Sequence, residues 1–203
     1  AALVLKDNYR QTLAISMMEA RAPALLDEHA RFIRRLEKSG RLDRGIEFLP
    51  DEEEIADRRA TRKGLLRPEL SVILAYAKLE LYDMLLESDI PDDPLLVKDL
   101  KTYFPQPLQD RFAPIIEQHR LRREIIATYV VNSMVNRVGA TFVSEAIEMT
   151  GASPEDVARA YAVVRDAFGL RELLAEIDAL DHQAPAHVQH AMLREVQRLI
   201  DRT

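Results

Sequence analysis

Apolar positions along the chain fall mostly at intervals of three and four residues, the spacing that gathers them on one side of an α-helix. Leu3, Leu5, Leu13, Ile15, Met17 and Met18, interleaved with Asp7, Asn8, Arg10 and Gln11, predict a first helix ending before Pro23. Pro23 then opens a second helix in which Leu25, Leu26, His29, Phe32, Ile33 and Leu36 share a face, with Gly40 placed as its left-handed cap. From Gly40 to Pro50 the chain reads as a loop, although Ile46 to Leu49 is a short extended-looking run. Asp51 to Glu54 set acidic side chains against the positive end of a third helix, while Arg58, Arg59, Arg62 and Lys63 crowd its other end before Gly64. That pattern predicts a solvated, dipole-matched helix.

Pro68 is a first-turn proline for a long helix through Glu87, striped by Leu70, Ile73, Leu74, Ala77, Leu81, Met84 and Leu85. Pro91 and Pro94 bracket a turn, a short helix runs from Pro94 to Tyr103, and Pro105, Pro107 and Pro114 break up the next stretch. A long run from Ile115 to Thr150 is apolar on nearly all sides between Ile125 and Val138, as a centrally buried helix would be, with Gly139 as a potential break and Gly151 as its cap. Ser153, Pro154 and Asp156 start a helix that lasts to about Phe168, ended by Gly169. Helices from Leu170 to Leu180 and from Pro185 to Arg202 complete the chain. The expected fold is all-α, an irregular bundle of about eight to ten helices with no sheet.

Composition narrows the chemistry. The 203 residues suffice for one medium domain or a domain with an extension, and the apolar share of 47% is that of a globular chain. A net charge of −6 argues against binding driven by neutralisation of nucleic-acid phosphates. With no cysteine, disulfides, thiolate nucleophiles and cysteine-based metal sites are excluded. No stretch approaches the ~18 apolar residues of a membrane span, so the expectation is a soluble, intracellular protein with no membrane or nucleic-acid partner. The start at Ala1, without Met, suggests a segment of a longer polypeptide.

The six glycines form neither a dinucleotide fingerprint nor a phosphate-binding loop, and no nucleophile elbow is present, so no catalytic or cofactor-binding residue is expected in this segment. His182, His187 and His190 have some metal-ligand spacing, but the exposed look of their helix favours a solvated face, and no metal site is expected. The six tyrosines are scattered and suit packing rather than base stacking. The notable polar features lie in the central region: His119, Arg122, Arg123 and Glu124 open the apolar helix that carries Asn132, Asn136 and Arg137. Two uses fit these residues, an internal network that fixes helix register or a contact with a partner or anion, and internal wiring is the commoner use of buried Asn and Arg.

Several longer runs together resemble the C-terminal region of the large NAD-specific glutamate dehydrogenases: Asp7 to Ser16, Leu66 to Lys78, Leu81 to Pro94, His119 to Thr128, Asn136 to Val143 and Arg159 to Leu170. Leu66 departs from the pattern, standing where a Thr is expected ahead of Arg67, Pro68 and Glu69, and this bears only on that helix's cap. The resemblance implies residues 1–50 as junction helices following a catalytic region and residues 51–203 as a C-terminal helical domain. It also implies a cytoplasmic, homo-oligomeric parent enzyme that oxidises L-glutamate to 2-oxoglutarate and ammonia with NAD, whose catalytic and NAD-binding residues lie upstream. The segment's own role would then be structural, in assembly or in regulation. The alternative is a free-standing helical interaction module without enzyme activity.

Overall fold

The computed structural model describes residues 2–203, with side chains from Asn8 onward. Among these the chain forms twelve α-helices and one 3-10 turn, with no strand. In order they are α1 (Ala2–Arg21), α2 (Leu26–Lys38), α3 (Glu52–Ala60), α4 (Arg67–Glu87), the 3-10 turn (Ile90–Asp92), α5 (Pro94–Tyr103), α6 (Gln106–Gln109), α7 (Ala113–Glu117), α8 (Arg122–Val138), α9 (Phe142–Thr150), α10 (Pro154–Ala167), α11 (Leu170–Ala179) and α12 (Ala186–Arg202). The excess over the expected count comes from α6 and α7, helices of 4 and 5 residues wedged between the prolines at 105, 107 and 114. Each proline there lacks an N–H, so no longer helix can propagate.

Helix α8 is the axis of the fold. Ile126, Ala127, Val130, Val131, Met134 and Val135 are all buried, and the helix packs against α1, α4, α5, α10 and α12. A helix apolar round most of its circumference gains by being surrounded, at about 25 cal/mol for each Å² of apolar surface removed from water.

Three local expectations change. The run from Ile115 to Thr150 is not one helix: residues 118–121 form a turn, and Gly139 interrupts at φ 99°, ψ 172°, a conformation open to glycine alone. No residue of α9 is fully buried, although Phe142 and Val143 still pack against the core. The second helix starts at Leu26 rather than Pro23, because the amides of Ala24 and Leu25 both donate to the Arg21 carbonyl and make a tight corner. Gly64 presses into that corner: a Cβ on it would lie 2.2 Å from the carbonyl carbon of Ala22. Finally, α3 is not simply solvated. Its acidic first turn is exposed, with the Asp51 carboxylate accepting the Glu54 N–H at 2.8 Å, but Arg58 shares the buried face with Ile55 and bonds to Glu69 of α4. That same Glu69 accepts the Leu66 N–H at 2.6 Å, so α4 is capped from its third residue although Leu66 has no capping side chain.

Candidate functional site: a four-arginine cavity beside the central helix

The polar residues singled out along α8 separate into two groups. At its start, Arg122 donates to Asp92 at 2.6 Å, while Arg123 donates to the carbonyls of Leu86 and Ser88 at 2.9 and 3.0 Å and also pairs with Asp92. The orphan carbonyls at the end of α4 are thereby satisfied by a cation, the arrangement a helix C-terminus favours. His119 accepts the Leu121 N–H through Nδ1 at 3.1 Å and lies beside the Phe104 ring, and the Glu124 carbonyl takes the Thr128 hydroxyl at 2.7 Å. This group pins the corner between α4 and α5.

Asn132, Asn136 and Arg137, further along α8, face different surroundings. Arg137 forks onto Asp178 of α11 at 3.2 and 2.9 Å, Arg10 of α1 reaches the same carboxylate at 2.9 Å, and Gln197 of α12 donates to the Arg137 carbonyl at 2.7 Å. With Arg165 of α10 and Arg171 of α11, these residues line a cavity of about 200 Å³. Arg171 pairs with Asp99 of α5, donates to the Tyr129 hydroxyl at 3.1 Å and lies 3.2 Å from Asp166. Arg165 donates through Nε to Asp166 at 3.1 Å, and its Nη2 lies 3.0 Å from Asp99 Oδ2 as an ion pair without hydrogen-bond alignment. Asp99 is fully buried and the Arg165 side chain is only 2% exposed.

The charges hold each other in place. Burial alone would raise the Asp166 carboxyl, but hydrogen bonds from Lys98 and Arg165, reinforced by the Arg165 charge, bring it down to about 2. Burial likewise opposes the charge on Arg171, and the Asp99 carboxylate outweighs it, raising the guanidinium above its ordinary value. Around Asp99, Asp166 and Asp178 stand Arg10, Lys98, Arg137, Arg165 and Arg171, five cations against three carboxylates.

The sequence reading missed Arg10, Asp99, Arg165, Asp166, Arg171 and Asp178. A signal was present for two of them. Asp99 sits between Leu96 and Leu100 on the buried stripe of α5, and Arg165 follows Ala158, Tyr161 and Ala162 on that of α10. A lone charge on an apolar stripe has to be paired.

A second polar cavity, about 170 Å³, lies on the other side of Asn136 among α1, α2, α9 and α12. His29 is buried there, and burial, aided by the Arg21 charge, lowers its pKa to about 4. Burial, and then the nearby Glu145 carboxylate, raises Glu28, and burial raises Asp201. Among the described residues no group of three or more His, Asp or Glu is placed to hold a metal ion, and no helix is long and apolar enough to cross a membrane. His182 is exposed beside Asp181 at 3.6 Å.

The fold and this wiring define an all-helical domain organised on one central helix, with arginines committed mainly to carboxylates of its own chain. Residues 62–203 match the family model described as glutamate dehydrogenase, C-terminal, and the chain belongs to that family. Along 98% of its length it is 44% identical to the NAD-specific glutamate dehydrogenase of Pseudomonas aeruginosa, and along 99% it is 42% identical to that of Halomonas elongata. The Mycobacterium tuberculosis NAD-specific glutamate dehydrogenase is 36% identical over the whole chain. The chain spans about 12% of the length of each of these relatives.

Proposed function

We propose that this chain works as a C-terminal bracing domain of an NAD-dependent glutamate dehydrogenase, an enzyme converting L-glutamate, NAD and water to 2-oxoglutarate, ammonia and NADH. The observation that carries the reading is the identity of 36–44% sustained along 98–100% of the chain with three enzymes of that name. In this reading NAD and the reacting groups belong to an upstream catalytic region, and the segment contributes no catalytic residue. Residues 1–50 form the junction with that region and residues 51–203 the domain proper. The parent enzyme is cytoplasmic and homo-oligomeric.

The bracing role draws support from how the cations are spent. Arg122 and Arg123 bind the α4–α5 corner, and Arg137 ties α8 to α11, so neither group is a free surface patch. An antibody against this chain should detect a native polypeptide several times larger than 23.2 kDa, and that polypeptide should reduce NAD in a glutamate-dependent manner. A native band at 23.2 kDa, or a large polypeptide without that activity, would contradict the reading.

A further inference from the structure

We propose that the four-arginine cavity is a binding site for a small divalent oxyanion, a phosphate or a short dicarboxylate, that completes the coordination of Arg165. Three independent features of the cavity support this. First, its wall holds Arg10, Arg137, Arg165 and Arg171, and among the described residues no carboxylate lines it. Second, Arg165 is almost wholly buried, yet Nη1 has no partner and Nη2 has only the unaligned ion pair with Asp99 at 3.0 Å. A guanidinium is a rigid fork of five donors, and a buried donor left unmade is costly, so native structures rarely retain one without a ligand or water to meet it. Third, the four cavity arginines are paired with only three carboxylates, Asp99, Asp166 and Asp178, which leaves the site net positive.

These features specify the ligand's chemistry. A net positive lining favours an anion, and several guanidinium forks together match the paired oxygens of a phosphate or of a dicarboxylate. The neutral lining, with Asn132 and Tyr129, offers N–H and O–H groups to the remaining oxygens. About 200 Å³ admits a small ion with some water, each water taking about 30 Å³ in the liquid, but not a nucleotide with its base and ribose. Because Arg10 belongs to α1 while Arg137, Arg165 and Arg171 belong to α8, α10 and α11, a bound dianion would clamp the first helix onto the C-terminal half.

The test is thermal unfolding of the intact protein that contains this chain, titrated separately with inorganic phosphate and with succinate against sodium chloride at matched ionic strength. Wild type should show a saturable rise in the transition involving this domain, of roughly 2–4 °C. Asn132→Asp supplies an internal carboxylate to the cavity and should abolish the rise. Arg171→Gln, at the cavity rim, should weaken the apparent affinity about tenfold or more and guards against misfolding of the first variant. A response to phosphate alone or to succinate alone would support the site and identify the source of the oxyanion. A rise that persists undiminished in both variants, or no rise with either probe, would overturn the proposal.

Discussion

At the α3–α4 corner, Arg58 donates to both oxygens of Glu69 at 2.5 and 2.8 Å, to Glu54 at 2.5 Å and to the Gly64 carbonyl at 3.3 Å. At the α10–α11 corner, Arg165 is buried more deeply but donates through Nε alone, with Nη1 unmet and Nη2 held only by its unaligned ion pair with Asp99. The two arginines have equal formal charge and are both buried, and they differ in whether their own chain completes them. A buried charge that is fully bonded holds helices together, whereas one left incomplete weakens the fold until something else supplies the partner. The first corner is therefore closed wiring, and the second is a structural element with an open valence.

Removing each arginine should expose the difference most strongly. Arg58→Met strands the buried Glu69 carboxylate and should cost about 3–5 kcal/mol in urea unfolding of the chain. Arg165→Met leaves Asp99 paired with Arg171 and Asp166 paired with Lys98 and Arg171, and in chloride it should change stability by no more than about 1 kcal/mol. Equal losses from the two would erase the contrast.

The pH dependence sharpens it next. The Asp166 carboxyl, at about 2, stays ionised across the mildly acidic range, so the Arg165 corner keeps its charges there. His29 falls from its ordinary 6.5 to about 4, which means that the fold favours the neutral ring. Its contribution is complete above pH 6.5 and is lost as the pH falls towards 4, by roughly 3 kcal/mol. Glu28, whose carboxyl is raised, acts in the opposite sense, since protonation relieves its burial and the repulsion from Glu145. The difference between wild type and His29→Leu in denaturation at pH 7 and pH 4 isolates the histidine, and an unchanged slope in the variant would contradict its assignment.

Smaller effects test how tightly the closed corner is built. Gly64→Ala drives a Cβ into the Ala22 backbone and should destabilise by about 1–3 kcal/mol, read as a lowered melting temperature. At the start of α8, Arg123→Ala removes two bonds to the carbonyls of Leu86 and Ser88 and should cost about 1–2 kcal/mol. Arg122→Ala loses only a half-exposed pair with Asp92 and should cost less than about 1 kcal/mol.

Much of this architecture was legible in the residue pattern because helices announce themselves through local signals. The proline at 68 and the glycines at 40, 151 and 169 mark element ends that the structure places within a few residues, and the apolar girdle of α8 gave its central position. Ser153 caps α10 by accepting the Asp156 N–H at 3.2 Å. The break at Gly139 was legible, whereas the corner after Arg21, where Ala22 packs on Gly64, and the turn at residues 118–121 carry no proline or glycine that marks the observed helix starts at Leu26 and Arg122.

The cavity was only half legible. Asn132, Asn136 and Arg137 stood out because they interrupt an apolar helix, yet Arg10, Asp99, Arg165, Arg171 and Asp178 come from four other helices, up to 168 positions apart. Local periodicity carries no information about which helices meet. The cationic run at His119–Glu124 drew attention instead, and its arginines serve a corner several turns away from the cavity.

The open valence of Arg165 is tested most directly by crystallography of the protein soaked in selenate, a tetrahedral dianion whose selenium can be located by anomalous scattering. An anomalous peak is expected inside the cavity, with the selenate oxygens about 3 Å from the guanidinium of Arg165 and from a second cavity arginine. A cavity that holds only water at saturating selenate, with the four arginines in the positions described, would contradict it.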